Sequence, residues 1–150
     1  MEVTIDLNVS QEAFFDFLVT SIIQDIEQNT STKILKADIK PGYSYAKKLK
    51  TKVGKMGSAN VNIVAFEPNA HYAASFESNQ GTNFISYQVK KLEADKINVT
   101  YIEEFIAADK LKEWNFKLVH FIYKKKSIQR AETNLKNIEA YILSKGGKNK

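Results

Sequence analysis

The chain has 150 residues, 43% of them hydrophobic and 26% charged, with no cysteine and a formal net charge of +5. This length favours one domain with a buried core, and the missing cysteine excludes a disulfide scaffold, a thiolate metal site and a cysteine nucleophile. Apolar runs fall far short of the roughly 20 residues of a membrane span, and the acidic start Met1-Glu2-Val3-Thr4-Ile5-Asp6 lacks the bases of a secretory signal, so a cytoplasmic location is expected.

Val3, Ile5, Leu7 and Val9 alternate with polar residues, which predicts a half-buried strand over 3–9. Ser10 is an N-cap candidate, and Phe14, Phe15, Leu18, Ile22 and Ile26 then recur at helical spacing, predicting a helix over 11–28. Its acids are expected on the opposite side. Thr30-Ser31-Thr32 breaks the pattern, and Lys33–Lys40 is compatible with a short helix or an extended piece. After the turn Pro41-Gly42 come five runs of strand type, 43–50, 59–66, 71–77, 82–92 and 97–107. Turn residues separate them: Val53-Gly54-Lys55-Met56-Gly57, Glu67-Pro68-Asn69, Ser78-Asn79-Gln80-Gly81 and Glu93-Ala94-Asp95-Lys96. Short turns between successive strands predict an antiparallel meander. Finally Ile128, Ala131, Leu135, Ile138 and Ile142 mark one stripe of a long amphipathic helix, with Gly146-Gly147 as its expected stop and 146–150 as a flexible tail. Its start is open: Asp109 could cap a helix beginning at Lys110, or Leu111–Phe121 includes an irregular stretch. No repeat or linker interrupts 1–150, which reads as a single domain. The order strand, helix, meander, helix predicts an α+β packing, a curved antiparallel sheet of about six strands on a long C-terminal helix.

The charge is segregated. Residues 1–32 carry −6, 33–56 carry +7, 57–109 carry −4 and 110–150 carry +8. Arg130 is the lone arginine among the 22 basic residues. Lysine is a flexible point charge and lacks the bidentate fork that reads bases and phosphates, so sequence-specific nucleic-acid binding is disfavoured. A weak polyanion or protein-interaction surface on the two basic segments is a separate reading, and lysines that merely solvate a hairpin and a helix are another.

The element order resembles the helix-grip fold of the START and birch-pollen-allergen-like (SRPBCC) superfamily, over the whole chain. In detail the chain resembles a bacterial family known as a domain of unknown function, through Pro41-Gly42-Tyr43-Ser44-Tyr45, Tyr101-Ile102-Glu103-Glu104-Phe105 and the Lys124-Lys125-Lys126 helix. The resemblance implies a small apolar or amphipathic ligand held between the sheet and the C-terminal helix; some superfamily members are cyclases or hydrolases. The glycine-rich loop of the plant relatives has only a loose counterpart in Val53-Gly54-Lys55-Met56-Gly57.

Within the strands, Tyr43 and Tyr45 share a face, as do Tyr72, Ala74 and Phe76, then Ile85, Tyr87 and Val89, then Tyr101, Glu103 and Phe105. Inward faces of this kind give apolar walls with a few hydroxyls, the composition of an amphipathic ligand pocket. The plainer reading is a packed core with tyrosine hydroxyls at its rim. Glu103 would point inward and its neighbour Glu104 outward, so the two are not a carboxylate pair. An inward Glu103 is the best candidate for ligand contact or acid–base work, or it is an edge residue with a lysine partner. Tyr45, Phe76, Tyr87, Tyr101, Glu103, Trp114 and His120 are therefore the candidate ligand-binding residues.

His71 and His120 are too far apart in sequence for a helical metal motif, and no Gly-x-Ser-x-Gly elbow is present. No cofactor, metal or catalytic residue is assigned. The expected partner is a small amphipathic or anionic ligand, and homodimerisation is undecided. A cyclase- or hydrolase-like enzyme using the same pocket is the alternative.

Overall fold

Strand β1 (Glu2–Leu7) buries Val3 and Leu7 and exposes Glu2, Thr4 and Asp6, the period-two pattern of a strand with one wet face. Ser10 then opens helix α1 (Gln11–Thr30): its Oγ accepts the Ala13 amide at 3.1 Å. The helix closes at Ser31, which adopts the left-handed conformation at φ 55° and donates its amide to the Glu27 carbonyl at 3.0 Å. The structure, a computed structural model, describes residues 1–50, 56–107 and 113–148, with side chains for 1–48, 57–107 and 127–145.

The ambiguous stretch 33–40 contains a short 3-10 turn (Lys36–Asp38), held by the Asp38 carboxylate accepting the Leu35 amide at 2.9 Å. The meander follows as β2 (Ser44–Lys50), β3 (Met56–Glu67), β4 (His71–Ser78), β5 (Gly81–Glu93) and β6 (Lys96–Ala107). Helix α2 (Glu113–Lys148) completes the chain. All strands form one curved antiparallel sheet in the order β1-β6-β5-β4-β3-β2. The five meander strands are sequential neighbours, and β1 adds to the free edge of β6 with Val3 opposite Tyr101 and Leu7 opposite Ile97. A register shift interrupts the β3–β4 ladder between Ile63 and Ala65.

Most boundaries agree with the sequence reading to within two residues, and three differ by more. Strand β3 starts at Met56, before the predicted 59; the rest of the expected turn, Val53-Gly54-Lys55, lies outside the described residues. Helix α2 is 36 residues long, well beyond the stripe that announced it. It also runs through Gly146-Gly147 to Lys148. Two glycines cost only about 1 kcal/mol each in a helix, which the preceding turns can outweigh.

Both helices cover the same face of the sheet. From α1, Phe14, Phe15, Leu18, Ile22 and Ile26 are buried, and from α2, Ala131 and Leu135. They meet Val3, Leu7, Val61, Ile63, Tyr72, Ala74, Val89, Ile97 and Val99 of the strands in one cluster. Phe14 lies 6.2 Å from the Tyr87 ring and Phe15 lies 6.2 Å from Phe66, centroid to centroid. The opposite face carries Thr4, paired with Thr100 at 3.2 Å, Asn98, donating to Asp6 at 2.7 Å, and His71, paired with Ser86 at 3.0 Å.

Candidate functional site

The register of the ladders lines up the inward side chains in rows across the sheet. One row runs Tyr72, Tyr87, Tyr101 and Val3; the next runs Ile63, Ala74, Ile85 and Glu103; the third runs Tyr45, Val61, Phe76, Asn83 and Phe105. The face is apolar and buried around Leu7, Ile97 and Val99 and becomes polar and half-buried toward Glu103 and Asn83.

The first row is a ladder of phenols. Tyr72 and Tyr87 are stacked with centroids 6.3 Å apart and planes 25° off parallel, and Tyr87 and Tyr101 are 4.9 Å apart. At one end, Tyr101 donates its hydroxyl to Glu103 Oε2 at 2.9 Å, while Asn83 donates to Glu103 Oε1 at 3.2 Å. Toward the other edge of the sheet, Tyr45 donates to Asp25 Oδ2 of α1 at 2.6 Å, and Lys47 Nζ lies 2.9 Å from Asp25 Oδ1. Thus one carboxylate is matched by a cation, and the other is held by two neutral donors.

Burial sets the protonation of the ladder and of Tyr45. Tyr45 is raised well above the ordinary phenol range by burial and then by its hydrogen bond to Asp25. Tyr101 is raised by burial, by neighbouring Tyr87 and by Glu103. Tyr72 is raised by burial and by Tyr87, and Tyr87 is pushed up to about 12 by burial and then by the Glu103 charge. At neutral pH these four hydroxyls are therefore donors, and none is a base.

Of the sequence-predicted residues, Tyr45, Phe76, Tyr87, Tyr101 and Glu103 lie on this one face, with Glu104 exposed on the other. Trp114 and His120 belong to α2 by backbone, but their side chains lie outside the described residues. Three residues of the arrangement escape the sequence reading: Asn83, Asp25 and Lys47. Asn83 sits two residues before Ile85 on the same alternation and is legible in principle. Helical spacing places Asp25 with the other α1 acids on the solvent side, yet it turns toward β2 and binds Tyr45 and Lys47. Among the described residues no group of three or more His, Asp or Glu is arranged to hold a metal. Two surface grooves of about 450 and 460 Å³ lie elsewhere, one between α1 and the β3–β4 turn and one between α1 and α2.

Residues 1–124 match the model of the family described as Domain of unknown function (DUF3284). No curated protein matches the chain. Among solved structures, the chain is similar to the protein of unknown function SA2116 from Staphylococcus aureus, at 12% identity and a TM-score of 0.62, over 99% of this chain and 96% of that one. It is similar to Ara h 8.0201 at 17% identity and a TM-score of 0.57, over 96% of this chain and 97% of that one. The protein TTHA0849 from Thermus thermophilus gives 11% identity and a TM-score of 0.57, over 96% of this chain and 98% of that one. At these identities the likeness is one of fold. The chain belongs to the DUF3284 family and carries the helix-grip fold of the START and birch-pollen-allergen-like superfamily.

Proposed function

We propose that the protein is a binding domain for a small amphipathic molecule, held between the inner face of the sheet and α2. The observation that supports this most is the polar end of that face. Tyr101, Glu103 and Asn83 form a half-buried hydrogen-bonded group beside the aromatic rings of Tyr87 and Tyr101. A face built only for packing would have apolar residues here, because each inward polar group costs desolvation that its bonds only partly return. Apolar walls with a few oriented polar groups suit a ligand with one polar end.

The test is displacement of a hydrophobic fluorescent dye, with thermal shift as a second readout. Saturable one-to-one binding of dye and of a medium-chain alcohol is expected, with a raised unfolding temperature. Asn83→Ala and Tyr101→Phe should each weaken the alcohol about threefold to tenfold, the effect of one hydrogen bond. A protein that binds neither dye nor alcohol refutes the proposal.

A further inference from the structure

The geometry points to an organic cation, an ammonium group on an apolar body, as the ligand of this face; the inference rests on the binding reading above and names its chemical class. Glu103 carries the argument. A carboxylate offers about four acceptor positions, and two described donors reach it, the Tyr101 hydroxyl at 2.9 Å and the Asn83 amide at 3.2 Å. Both donors are neutral, so they orient the charge without cancelling it. The Met1 amino group donates to the main-chain oxygen of Glu103 at 2.9 Å and not to its carboxylate. Asp25, the other carboxylate of the face, has Lys47 at 2.9 Å. Glu103 is thus an oriented, half-buried anion with no ion-pair partner among the described residues.

Its surroundings suit the same chemistry. Along β6 its same-face neighbours are Tyr101 and Phe105, and across the ladder Tyr87 lies diagonally, with its ring 4.9 Å from that of Tyr101. Aromatic faces attract ammonium groups through their quadrupole, most strongly where water is excluded. An anionic head would meet the like charge of Glu103 instead and be repelled. A neutral head would gain the hydrogen bonds and nothing from the charge. The anionic ligand admitted by the lysine-rich composition is therefore disfavoured at this position, and the cation is selected.

The experiment compares three probes with one apolar body, octyltrimethylammonium, octanol and octanoate, titrated into the full chain by calorimetry below micellar concentrations. The ammonium probe is expected to bind about tenfold or more tighter than octanol, with octanoate weakest. Glu103→Gln, checked for folding by circular dichroism, should abolish the preference, so that the ammonium probe and octanol bind the variant equally; a tenfold preference retained in the variant overturns the role of Glu103. Equal binding of all three, or a preference for octanoate, overturns the cation and leaves the pocket standing. No binding of any probe overturns both. Dihexanoylphosphatidylcholine as a fourth titrant separates sources of the ammonium: binding equal to octyltrimethylammonium indicates a choline lipid headgroup, and weaker binding a free ammonium compound without a phosphate.

Discussion

Gly81 shows how little room single residues have at the polar end of the sheet. It opens β5 at φ 149°, a region closed to side-chain-bearing residues, and sits opposite Ala107 of β6. A β-carbon there would collide with the Ile106 carbonyl oxygen and fall 2.8 Å from the Phe105 ring. Gly81→Ala should therefore cost about 2–3 kcal/mol through strain and displaced backbone, read as a lower urea midpoint. An unchanged midpoint would mean that β5 and β6 do not approach this closely. Tyr45 is a second residue with a separable contribution. Tyr45→Phe keeps the ring in the core but removes the 2.6 Å bond to the Asp25 carboxylate. A hydrogen bond to a charged acceptor is worth about 1.5–3 kcal/mol. Lys47 still compensates Asp25, so a loss near about 1.5 kcal/mol is expected in the same denaturation experiment. Asp25 also marks where reading the sequence stops at this scale. A helical acid next to the apolar Ile26 can turn either way, and only the position of β2 decides it.

Elements are more legible than residues, because their signal is summed over many positions. Alternation locates β1 and the five meander strands, and Ser10 locates the start of α1. What periodicity misses is where an element stops when no breaker residue stands there. Between Asp109 and Ser144 the sequence has no glycine or proline, so no breaker residue marks the start of α2, and the cap candidate Asp109 lies outside the described residues. At the end of α1 the stop is Ser31, a residue with a β-carbon held at φ 55°. Ser31→Gly should raise stability by about 0.5–1 kcal/mol, since glycine adopts this conformation without the steric cost; thermal unfolding measures it, and a decrease would refute it. The tie between α2 and the start of the fold is equally local. Glu139, nearly buried, accepts the Asn8 amide at 2.6 Å and the Lys136 ammonium at 3.3 Å. Glu139→Leu keeps bulk in the α2 stripe but strands the Asn8 amide, at a cost of about 1–3 kcal/mol. Hydrogen exchange should then show the loss concentrated at the β1–α1 junction.

At the scale of the whole molecule, the segregated charge and the tyrosine row are parts of one arrangement. The acidic segment 1–32 and the basic segment 33–56 are brought together: Lys47 pairs with Asp25, and Lys36 comes within 3.9 Å of Asp16, where both side chains are over 70% exposed. The Asp16 contact is a solvated one and contributes little; the Asp25 contact anchors α1 to the sheet edge. Alternation in the sequence is enough to assign the tyrosines to one face. That they form a continuous row depends on strand register, which the sequence does not state. The row predicts how the protein fails in alkali. Tyrosine in the unfolded chain titrates at about 10, whereas Tyr87 is pushed up to about 12 and Tyr45, Tyr72 and Tyr101 are also raised, chiefly by burial. Above pH 10 the unfolded chain releases these protons while the folded one keeps them. The folded state then binds more protons, so stability is full below pH 10 and falls as pH rises toward 12. Each such phenol steepens the fall by up to about 1.4 kcal/mol per pH unit. Urea midpoints at pH 9, 10 and 11 should drop progressively, and Tyr87→Phe should make the drop shallower. Absorbance at 295 nm should show part of the seven tyrosines ionising only with loss of the far-ultraviolet signal. If all ionise together near pH 10 with secondary structure intact, the row is not shielded from water and the packing described for this face is wrong.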